Sequence, residues 1–509
     1  MKKKLLVTLF AVFALAGQSQ ENIWQKCNPK IRMKIRHILF LCAGMMGWSC
    51  VTGAQNLNSA YFLDGYAYSH EMNPAKDYDR EAYFCLPFMG NLNLSTRGNL
   101  ALGDFLVQSP SGGLVTALHP SIRAADFLSR LRQTSKLTGD LRCDVVGVGF
   151  HTRQAYHTIT AGMRTNLGFN IPYELFEVTK QIENRNYSFT GLGVTATAWM
   201  EAGYGYSRNL SQAVRVGGKF KFLVGLGYAR IRMDDVTLYQ SDQDEWIGTA
   251  NARAEVGVGN FTWGAMEVKE YKTTGEKYQQ INLDNIDAEN PGVNGYGAAI
   301  DLGAEWDLEK QGWVDGLKVG IAVLDFGFIR WRNVAQAQNR GEPFTFHFQN
   351  PEKPGGENMP VDDQVNEAVD RLSNLISLQD CGTGSKAKML GATLNISAEY
   401  RMPFYRPLKA GLLCTTCIQG RYTWNEERLA LTVSPLKWLE MSGNVSLGTT
   451  GVGLGWVLNI HPRGFNLFAG MDYAIYKLSK QHIPLDSNAS LCLGINFPLG
   501  KSRIDYSHK

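Results

Sequence analysis

The sequence predicts an all-β protein, a transmembrane antiparallel β-barrel of about 14 strands with an N-terminal plug-like segment and short helices in the long loops. Three observations support this fold class. Apolar and polar residues alternate with a period of two in many segments, and an export-like segment precedes the first strand. Aromatic residues, Tyr228 and Tyr473 among them, gather near the ends of the apolar faces, where they should lie at the membrane interfaces. A soluble β-sandwich is the competing interpretation, because its strands also alternate.

Composition agrees with a closed sheet. Charged residues make up 19% of the chain, below the roughly 25% of soluble domains, and the 53 glycines exceed the usual share. The net charge of +4 and the absence of a dense basic cluster in the mature region argue against a nucleic-acid partner. Six cysteines follow the export region, and their irregular spacing does not predict a disulfide framework.

Residues 1–54 form the predicted export signal region. Basic residues precede an apolar run twice, first after Met1 and again after Met33, so translation could truly start at Met33. Neither apolar run reaches the length of a spanning helix. We expect cleavage after Ala54, and a lipoprotein anchored at Cys50 is the weaker alternative.

Residues 55–81 show neither the helical nor the strand period, so we predict an irregular segment that enters the lumen as a plug. It contains the triplet Asn73, Pro74 and Ala75. The barrel is predicted to span residues 82–499, with Pro87 and Gly90 kinking its first strand.

Strand-like alternation recurs from Leu141 to the end of the chain, most clearly at 296–308. The phase slips between Val323 and Phe326, which predicts a β-bulge near Asp325. The register between Met233 and Asn290 is left open. A long excursion is predicted between Asn333 and Gly384, and strands resume at Leu390. Short loop helices are predicted in three places, namely 121–131, 172–182 and 361–378.

The closing strand is predicted at 490–497, and residues 500–509 form a C-terminal tail. Its apolar face should meet lipid and consists of Leu491, Leu493, Ile495 and Phe497. As the last strand it should pair with the first strand at 82–97 and close the barrel.

Charged residues on the opposite strand faces are predicted to point into the lumen. They are Arg164, Glu201, Arg215, Lys219, Lys221, Asp301, Glu305, Asp307, Glu399 and Asp472. Two interpretations stay open, a structural ion-pair network that holds the plug and a path for transport. Charges inside the barrel must be paired or hydrated in either case.

No catalytic, cofactor or metal site is predicted. Cys414 and Cys417 are three residues apart and should face opposite sides of a strand, which excludes a shared metal there. Asp144 and His151 should also face opposite sides of their strand, and His157 lies on the apolar face of the next strand. No catalytic triad can therefore be assembled from these residues. We therefore expect no enzymatic activity and no cofactor.

Several segments resemble an uncharacterised family of outer-membrane barrels from Bacteroidota, across nearly the whole mature chain. The segments are 62–66, 73–75, 223–229, 323–329 and 493–499. The triplet at 73–75 is also similar to the N-terminal region of FadL-like long-chain fatty-acid transporter barrels. That resemblance implies 14 strands, an N-terminal plug and a hydrophobic ligand path. The chain departs from many such barrels because residues 498–509 follow Phe497, where others end.

The sequence thus predicts an outer-membrane protein of a Gram-negative bacterium that takes up or exchanges a hydrophobic small molecule. The alternatives are a structural or accessory barrel that binds a protein partner in surface-protein export, and a passive diffusion pore. Expected partners are outer-membrane lipid, a hydrophobic ligand and the barrel-assembly machinery during biogenesis. Any further protein partner is unknown.

Overall fold

A computed structural model of the chain describes residues 56–101, 104, 106–108, 114–116, 122–180, 185–240, 246–263, 266–270, 277–281, 287–289, 292–339, 344–346, 378–474 and 488–502. The predicted export region, nearly all of the predicted helix at 361–378 and most of the C-terminal tail lie outside these residues. Both the cleavage site and the true start therefore stay predictions.

The described chain is almost entirely β-structure, with two short α-helices and three 3-10 turns at Asn58–Ala60, Ser69–Glu71 and Gly420–Tyr422. The helices are α1 (Ala124–Leu128) and α2 (Tyr173–Lys180). The strands are β1 (Arg80–Phe84), β2 (Leu92–Gly98), β3 (Leu106–Gln108), β4 (Leu114–Thr116), β5 (Thr134–His151), β6 (Ala155–Pro172), β7 (Tyr187–Phe189), β8 (Leu192–Asn209), β9 (Val214–Gln240), β10 (Trp246–Gly257), β11 (Asn260–Thr262), β12 (Met266–Glu270), β13 (Lys277–Ile281), β14 (Asp287–Glu289), β15 (Gly295–Asp307), β16 (Leu317–Gln338), β17 (Phe344–Phe346), β18 (Gln379–Met389), β19 (Ala392–Arg401), β20 (Leu408–Ile418), β21 (Trp424–Leu436), β22 (Leu439–Gly448), β23 (Gly451–Ile460), β24 (Asn466–Met471) and β25 (Ala489–Ser502).

The main sheet closes on itself as an antiparallel barrel of 14 wall strands, which confirms the predicted fold class. Five wall strands are built from two segments each: β1 with β2, β7 with β8, β10 with β15, β16 with β17, and β18 with β19. The closing strand β25 pairs with both halves of the first wall strand, Phe84 opposite Phe497 and Leu92 opposite Leu493. The predicted closing pair is therefore confirmed.

Two irregularities were visible in the sequence. The first wall strand breaks between Phe84 and Leu92, the interval that contains Pro87 and Gly90. In β16 the register against β15 shifts between Ile300 and Leu302, and Asp325 has a φ of 57°. This bulge confirms the slip near Asp325, where large apolar residues change phase.

Other element boundaries differ from the predictions. Strand β18 was missed because its residues, many of them Gly, Ser, Thr and Lys, show no apolar alternation. Helix α1 covers only Ala124–Leu128, with Arg123 rather than Ser121 at its N-cap position. Pro172 ends β6, and α2 begins one residue later. The last strand continues past residue 499 to Ser502.

The two ends of the barrel differ in their connections. One end, called the turn end here, has short turns such as 152–154, 210–213 and 402–407, and both Arg80 and Ser502 lie there. The other, the loop end, has longer connections that include the small hairpins β3–β4, β12–β13 and β11–β14 outside the wall. At the loop end α1 and α2 meet through Phe127 and Phe176, whose ring centroids are 5.9 Å apart.

The outer surface of the wall carries many exposed large apolar side chains. Examples from neighbouring strands are Phe220 (56% exposed), Leu302 (57%) and Phe326 (55%). Soluble monomers rarely expose a contiguous apolar surface of such extent. Among the described residues, no helix has the length and apolarity needed to cross a membrane.

Candidate functional site

The N-terminal segment 56–79, called the plug here, lies inside the barrel. Its residues contact the inner faces of strands around the whole circumference, so it is encircled by the wall. The contacts join Ser59 to Asp472 (2.7 Å), Tyr61 to Ser397 (3.0 Å), Asp64 to Lys409 (2.9 Å), Gly65 to Glu440 (2.9 Å), His70 to Tyr83 (2.8 Å), Glu71 to Lys219 (2.5 Å) and Asn73 to Ala304 (3.3 Å).

Aromatic rings form the core of the plug. Tyr61, Phe62, Tyr66 and Tyr68 are almost completely buried. The Tyr66 ring lies 4.9 Å from the Phe468 ring of β24, and Tyr68 lies 5.7 Å from Tyr83 of β1, both edge to face. Such pairs are favourable beyond the area they bury. The plug is thus packed against the wall like a protein core.

The triplet Asn73, Pro74 and Ala75 places the plug against β9 and β15. Asn73 Oδ1 accepts a hydrogen bond from the Ala75 N–H at 2.9 Å, which fixes a local turn. The Pro74 carbonyl lies so close to Gly217 that a Cβ there would be 2.2 Å from it. The wall therefore needs glycine at this contact.

A buried ion-pair network lies along the plug. Glu71 pairs with Arg142 at 2.7 Å and with Lys219 at 2.5 Å. Arg142 continues to Asp144 at 3.1 Å and to Glu201 at 3.5 Å. Each charge therefore has at least one partner of opposite sign, as buried charges require.

The network extends along the inner wall to the bulge in β16. Arg164 pairs with Asp325 at 2.9 Å and with Glu201 at 3.4 Å. Lys221 bridges Asp325 at 2.6 Å and Asp301 at 2.7 Å. The network thus unites five of the ten charges assigned to the lumen from sequence, namely Arg164, Glu201, Lys219, Lys221 and Asp301.

The other five make separate contacts. Three pair with plug residues or with a wall lysine that holds the plug: Arg215 with Asp77 (3.1 Å), Glu305 with Lys76 (3.9 Å) and Glu399 with Lys409 (3.5 Å). Asp472 lies 3.6 Å from Arg428. Asp307 pairs instead with Lys310, in the turn after β15 and away from the network.

Sequence reasoning missed several members of these pairs. Arg142 and Arg428 lie on the polar parity of their strands, so alternation could have identified them. Glu71 and Asp64 lie in the aperiodic plug, where no pattern marks a residue that meets the wall. Burial disfavours charge on Asp64, but Lys409 and Arg401 outweigh it, and the pKa of this carboxyl is lowered.

His70 is neutral in the docked plug. Burial lowers the pKa of its imidazole to about 3, and the nearby Lys219 and Arg142 act in the same direction against Glu71. One ring nitrogen, Nε2, is 2.8 Å from the Tyr83 hydroxyl. The plug therefore excludes the charged form of this side chain.

An aromatic pocket lies on the loop-end side of the network. Its volume is about 30 Å³, and its apolar walls are Trp199, Ile329, Trp331 and Leu390. The polar part of its lining consists of Asn166, Thr197, Lys388 and Gln419. The pocket also reaches Gly391, where the wall strand breaks between β18 and β19. Large apolar side chains thus share this pocket with Lys388 and with neutral polar side chains, in a lumen that is otherwise rich in charge.

Residues 419–423, the turn between β20 and β21, are called the lid here. The lid crosses the lumen beside this pocket. Gln419 donates a hydrogen bond to Asn166 at 2.8 Å, and Arg421 pairs with Asp234 at 3.0 Å. The Tyr422 ring occupies the space that a Cβ on Gly168 would need, 2.7 Å away. The lid thus reaches from one side of the wall to the inner faces of β6 and β9.

Bulges overturn two predictions about strand faces. Tyr228 was expected on the outer face, but it is buried and stacks on Trp331 at 5.5 Å, since the register of β9 against β8 shifts between Ala198 and Trp199. A shift between Asp144 and Val146 likewise puts Asp144 and His151 on the same inner face. They have separate partners there, because His151 contacts Asp77 at 2.6 Å.

Tyr473 was also expected near a membrane interface and is instead buried, donating its hydroxyl hydrogen to Glu426. Tyr473 lies beyond the end of β24 at Met471, so the alternation of strand faces does not determine where its side chain points.

The two neighbouring cysteines of β20 differ in burial. Cys414 and Cys417 are three residues apart, and Cys417 is buried whereas Cys414 is half-buried. In the part of the chain that the structure describes, no group of three or more His, Cys, Asp or Glu side chains could hold a metal ion.

The four residues of the closing strand that are predicted to face lipid lie on its outer face. Leu493 is 42% exposed, while Leu491, Ile495 and Phe497 are half-buried. The Phe497 ring stacks on Phe84 at 5.2 Å across the closure. Whether this face meets lipid stays a prediction.

Comparison with known proteins gives one family and a set of distant barrels. Residues 74–472 match the model of a family of unknown function, DUF5723. No curated protein matches the chain.

Several solved structures are distantly similar to the chain. The toluene transporter TodX of Pseudomonas putida is 7% identical, with a TM-score of 0.36 over 89% of this chain and 97% of that chain. The toluene transporter TbuX of Ralstonia pickettii is 7% identical, with a TM-score of 0.38 over 86% and 98%. A FadL homologue of Pseudomonas aeruginosa is 10% identical, with a TM-score of 0.36 over 88% and 99%.

Proposed function

The chain belongs to the DUF5723 family of unknown function, and we propose that it is an outer-membrane barrel that takes up or exchanges a hydrophobic small molecule. The observation that carries the proposal is the pocket formed by Trp199, Ile329, Trp331 and Leu390 inside a charged lumen. A barrel built only to pass water-soluble solutes has a polar interior. A pocket that joins these apolar walls to Lys388 and to neutral polar side chains fits a mainly apolar ligand with one polar end.

Placement in the outer membrane rests on the exposed apolar wall. Charged side chains point inward to the plug, whereas Phe220, Leu302 and Phe326 are exposed outside. This distribution is the inverse of a soluble protein and fits a lipid surround.

The pocket must enlarge to accept a ligand. A volume of about 30 Å³ holds one or two water molecules, and ligand pockets usually have about 300–1,000 Å³. The lid is the element that can supply the space, because Gln419 lines the pocket and is held by hydrogen bonds rather than by a packed core. The plug, in contrast, closes the route to the turn end.

The experiment is native mass spectrometry of the purified barrel with dodecanol as the probe. We expect one bound dodecanol per barrel, lost in a Trp199→Ala, Trp331→Ala double variant. Trp456→Ala is the matched control, since that side chain is 42% exposed on the outer wall. Equal retention in all variants, or none in the native chain, would contradict the proposal.

A structural or accessory barrel is the second candidate. Its support is the density of contacts that fix the plug, including the pairs of Glu71, Asp64 and Asp77 with the wall. Such a barrel would co-purify with a protein partner and would retain no dodecanol. A passive pore would show steady current in planar bilayers, which the docked plug opposes. Catalysis forms no part of the proposal.

A further inference from the structure

Two exposed arginines lie on the outer face of β16, directly beyond its apolar residues. Phe326 and Phe328 are 55% and 48% exposed on this face, and Arg330 and Arg332 continue the same alternation toward the loop end. Lipid-facing arginine is unfavourable in the middle of a bilayer and tolerated near the interface. The pair therefore marks the loop-end boundary of the apolar belt.

The neighbouring strands shape the surface around this pair. Arg330 lies opposite Tyr296 of β15 and Ala387 of β18. The Arg332 guanidinium lies 5.3 Å from the centre of the Tyr296 ring, which holds it against the wall. On the other side Ala387 and Ser385 are small and exposed, so the arginines border an open shallow groove.

The charges of the pair are not compensated by carboxylates in the described part of the chain. The acidic groups nearest in register, Glu255 and Asp325, belong to the inner side of the wall. There they pair with Lys386 at 3.0 Å and with Arg164 at 2.9 Å. The outer groove is thus basic, next to an apolar surface.

We propose that Arg330 and Arg332 bind the phosphate group of an outer-leaflet lipid, whose acyl chains lie along Phe326, Phe328 and Met389. Guanidinium groups suit this role because they donate two parallel hydrogen bonds to phosphate oxygens. The site depends on the proposed placement in the outer membrane. Its two arginines do not line the luminal pocket, although Met389 borders both sites. The arginine site fixes the height of the barrel in the bilayer at the phosphate level of one leaflet.

The test titrates the purified full-length mature barrel with bisphosphorylated lipid A and counts bound lipid by native mass spectrometry. An Arg330→Gln, Arg332→Gln variant should bind about 25-fold more weakly, about fivefold for each basic residue near an anionic head group. An Arg330→Lys, Arg332→Lys variant keeps the charge and should fall between the two. Arg463→Gln, exposed at the turn end, should bind as the native chain does.

Unchanged affinity in the glutamine variant would overturn the site. So would an equal loss in Arg463→Gln, which would indicate non-specific charge attraction. Inorganic pyrophosphate that binds as tightly as lipid A would overturn the lipid as occupant. Heat-dependent mobility on gels reports whether each variant is folded. The glutamine variant should retain as much dodecanol as the native chain does. The lipid titration therefore tests the arginine site, and the dodecanol experiment tests the pocket.

Discussion

Arg142 Nη2 lies 2.7 Å from Glu71 Oε2, and both side chains are almost fully buried between the plug and β5. The pair connects an aperiodic segment to the wall 71 residues further along the chain. Because Lys219 approaches the same carboxylate from β9, Glu71 holds two wall strands to the plug at once. Removing this one carboxylate would leave two buried cations without their principal partner.

Glu71→Gln should therefore loosen the plug. Breaking a buried ion pair by removing one partner costs about 3–5 kcal/mol. In planar bilayers we expect frequent channel openings for this variant and little conductance for the native barrel. Asp315→Asn, at an exposed turn, is the control and should behave as the native chain does. A Glu71→Gln barrel that stays closed would show that the ion pairs do not hold the plug.

Acid should also release the plug, through His70. The pKa of this imidazole is lowered to about 3 by burial, whereas a released plug would restore the ordinary value of 6.5. Below pH 6.5 the released plug binds a proton that the docked plug does not, so docking weakens by about 1.4 kcal/mol per pH unit until about pH 3. Burial alone would raise the pKa of Glu71, but Arg142 and Lys219 lower it, so Glu71 stays charged in this window.

The measurement for His70 is bilayer conductance between pH 7 and pH 5. Openings should increase as the pH falls in the native barrel, and His70→Gln should remove the part of this dependence that falls between pH 6.5 and pH 5. Identical pH profiles for the two proteins would assign the effect to another group.

The contact of Pro74 with Gly217 gives a steric test. A Cβ on Gly217 would lie 2.2 Å from the Pro74 carbonyl oxygen, so Gly217→Ala must displace the plug or the strand, at about 1–3 kcal/mol. Gly443→Ala is the matched control, since nothing lies within 4 Å of its added Cβ. Thermal unfolding, followed by gel mobility, should be lowered only in Gly217→Ala. Equal midpoints for the two variants would argue against tight seating of the plug.

The lid should control the rate at which ligand enters. Arg421 pairs with Asp234 at 3.0 Å in a partly exposed setting, so the pair contributes only about 0–1 kcal/mol to closure. Arg421→Gln should therefore accelerate dodecanol exchange several-fold with little change in affinity. Arg406→Gln removes a similar ion pair at the turn end and should leave exchange unchanged. Slower exchange in Arg421→Gln would contradict the role of the lid.

The wall was predictable because its strands have an apolar outer face and a polar inner face, which imposes a period of two on their sequences. Where a bulge shifted that period between large apolar residues, as at Asp325, the sequence showed it. Where the inserted residue was itself apolar and lay between two glycines, as Leu226 does before Tyr228, the shift was invisible and the Tyr228 side chain was assigned to the wrong face. Strand β18 was not predicted because it lacks an apolar face.

The plug and the pocket were less accessible to sequence reasoning. The lack of periodicity at 55–81 predicted a luminal segment, and alternation identified five of the nine members of the charge network. The partners Glu71 and Asp64 could not be found, since each meets a strand far away in the chain and lies in a segment without periodicity. The pocket likewise joins Trp199 to Trp331 and Leu390, which come from three different wall strands.

The most direct test of hydrophobic uptake is a structure of the barrel with 1-bromododecane, in which anomalous scattering locates the bromine. We expect a bromine peak or the adjoining alkyl density between Trp199 and Trp331, with Gln419 and the lid displaced from Asn166. Bromine found only on the outer wall, with the pocket at its present volume of about 30 Å³, would contradict the account.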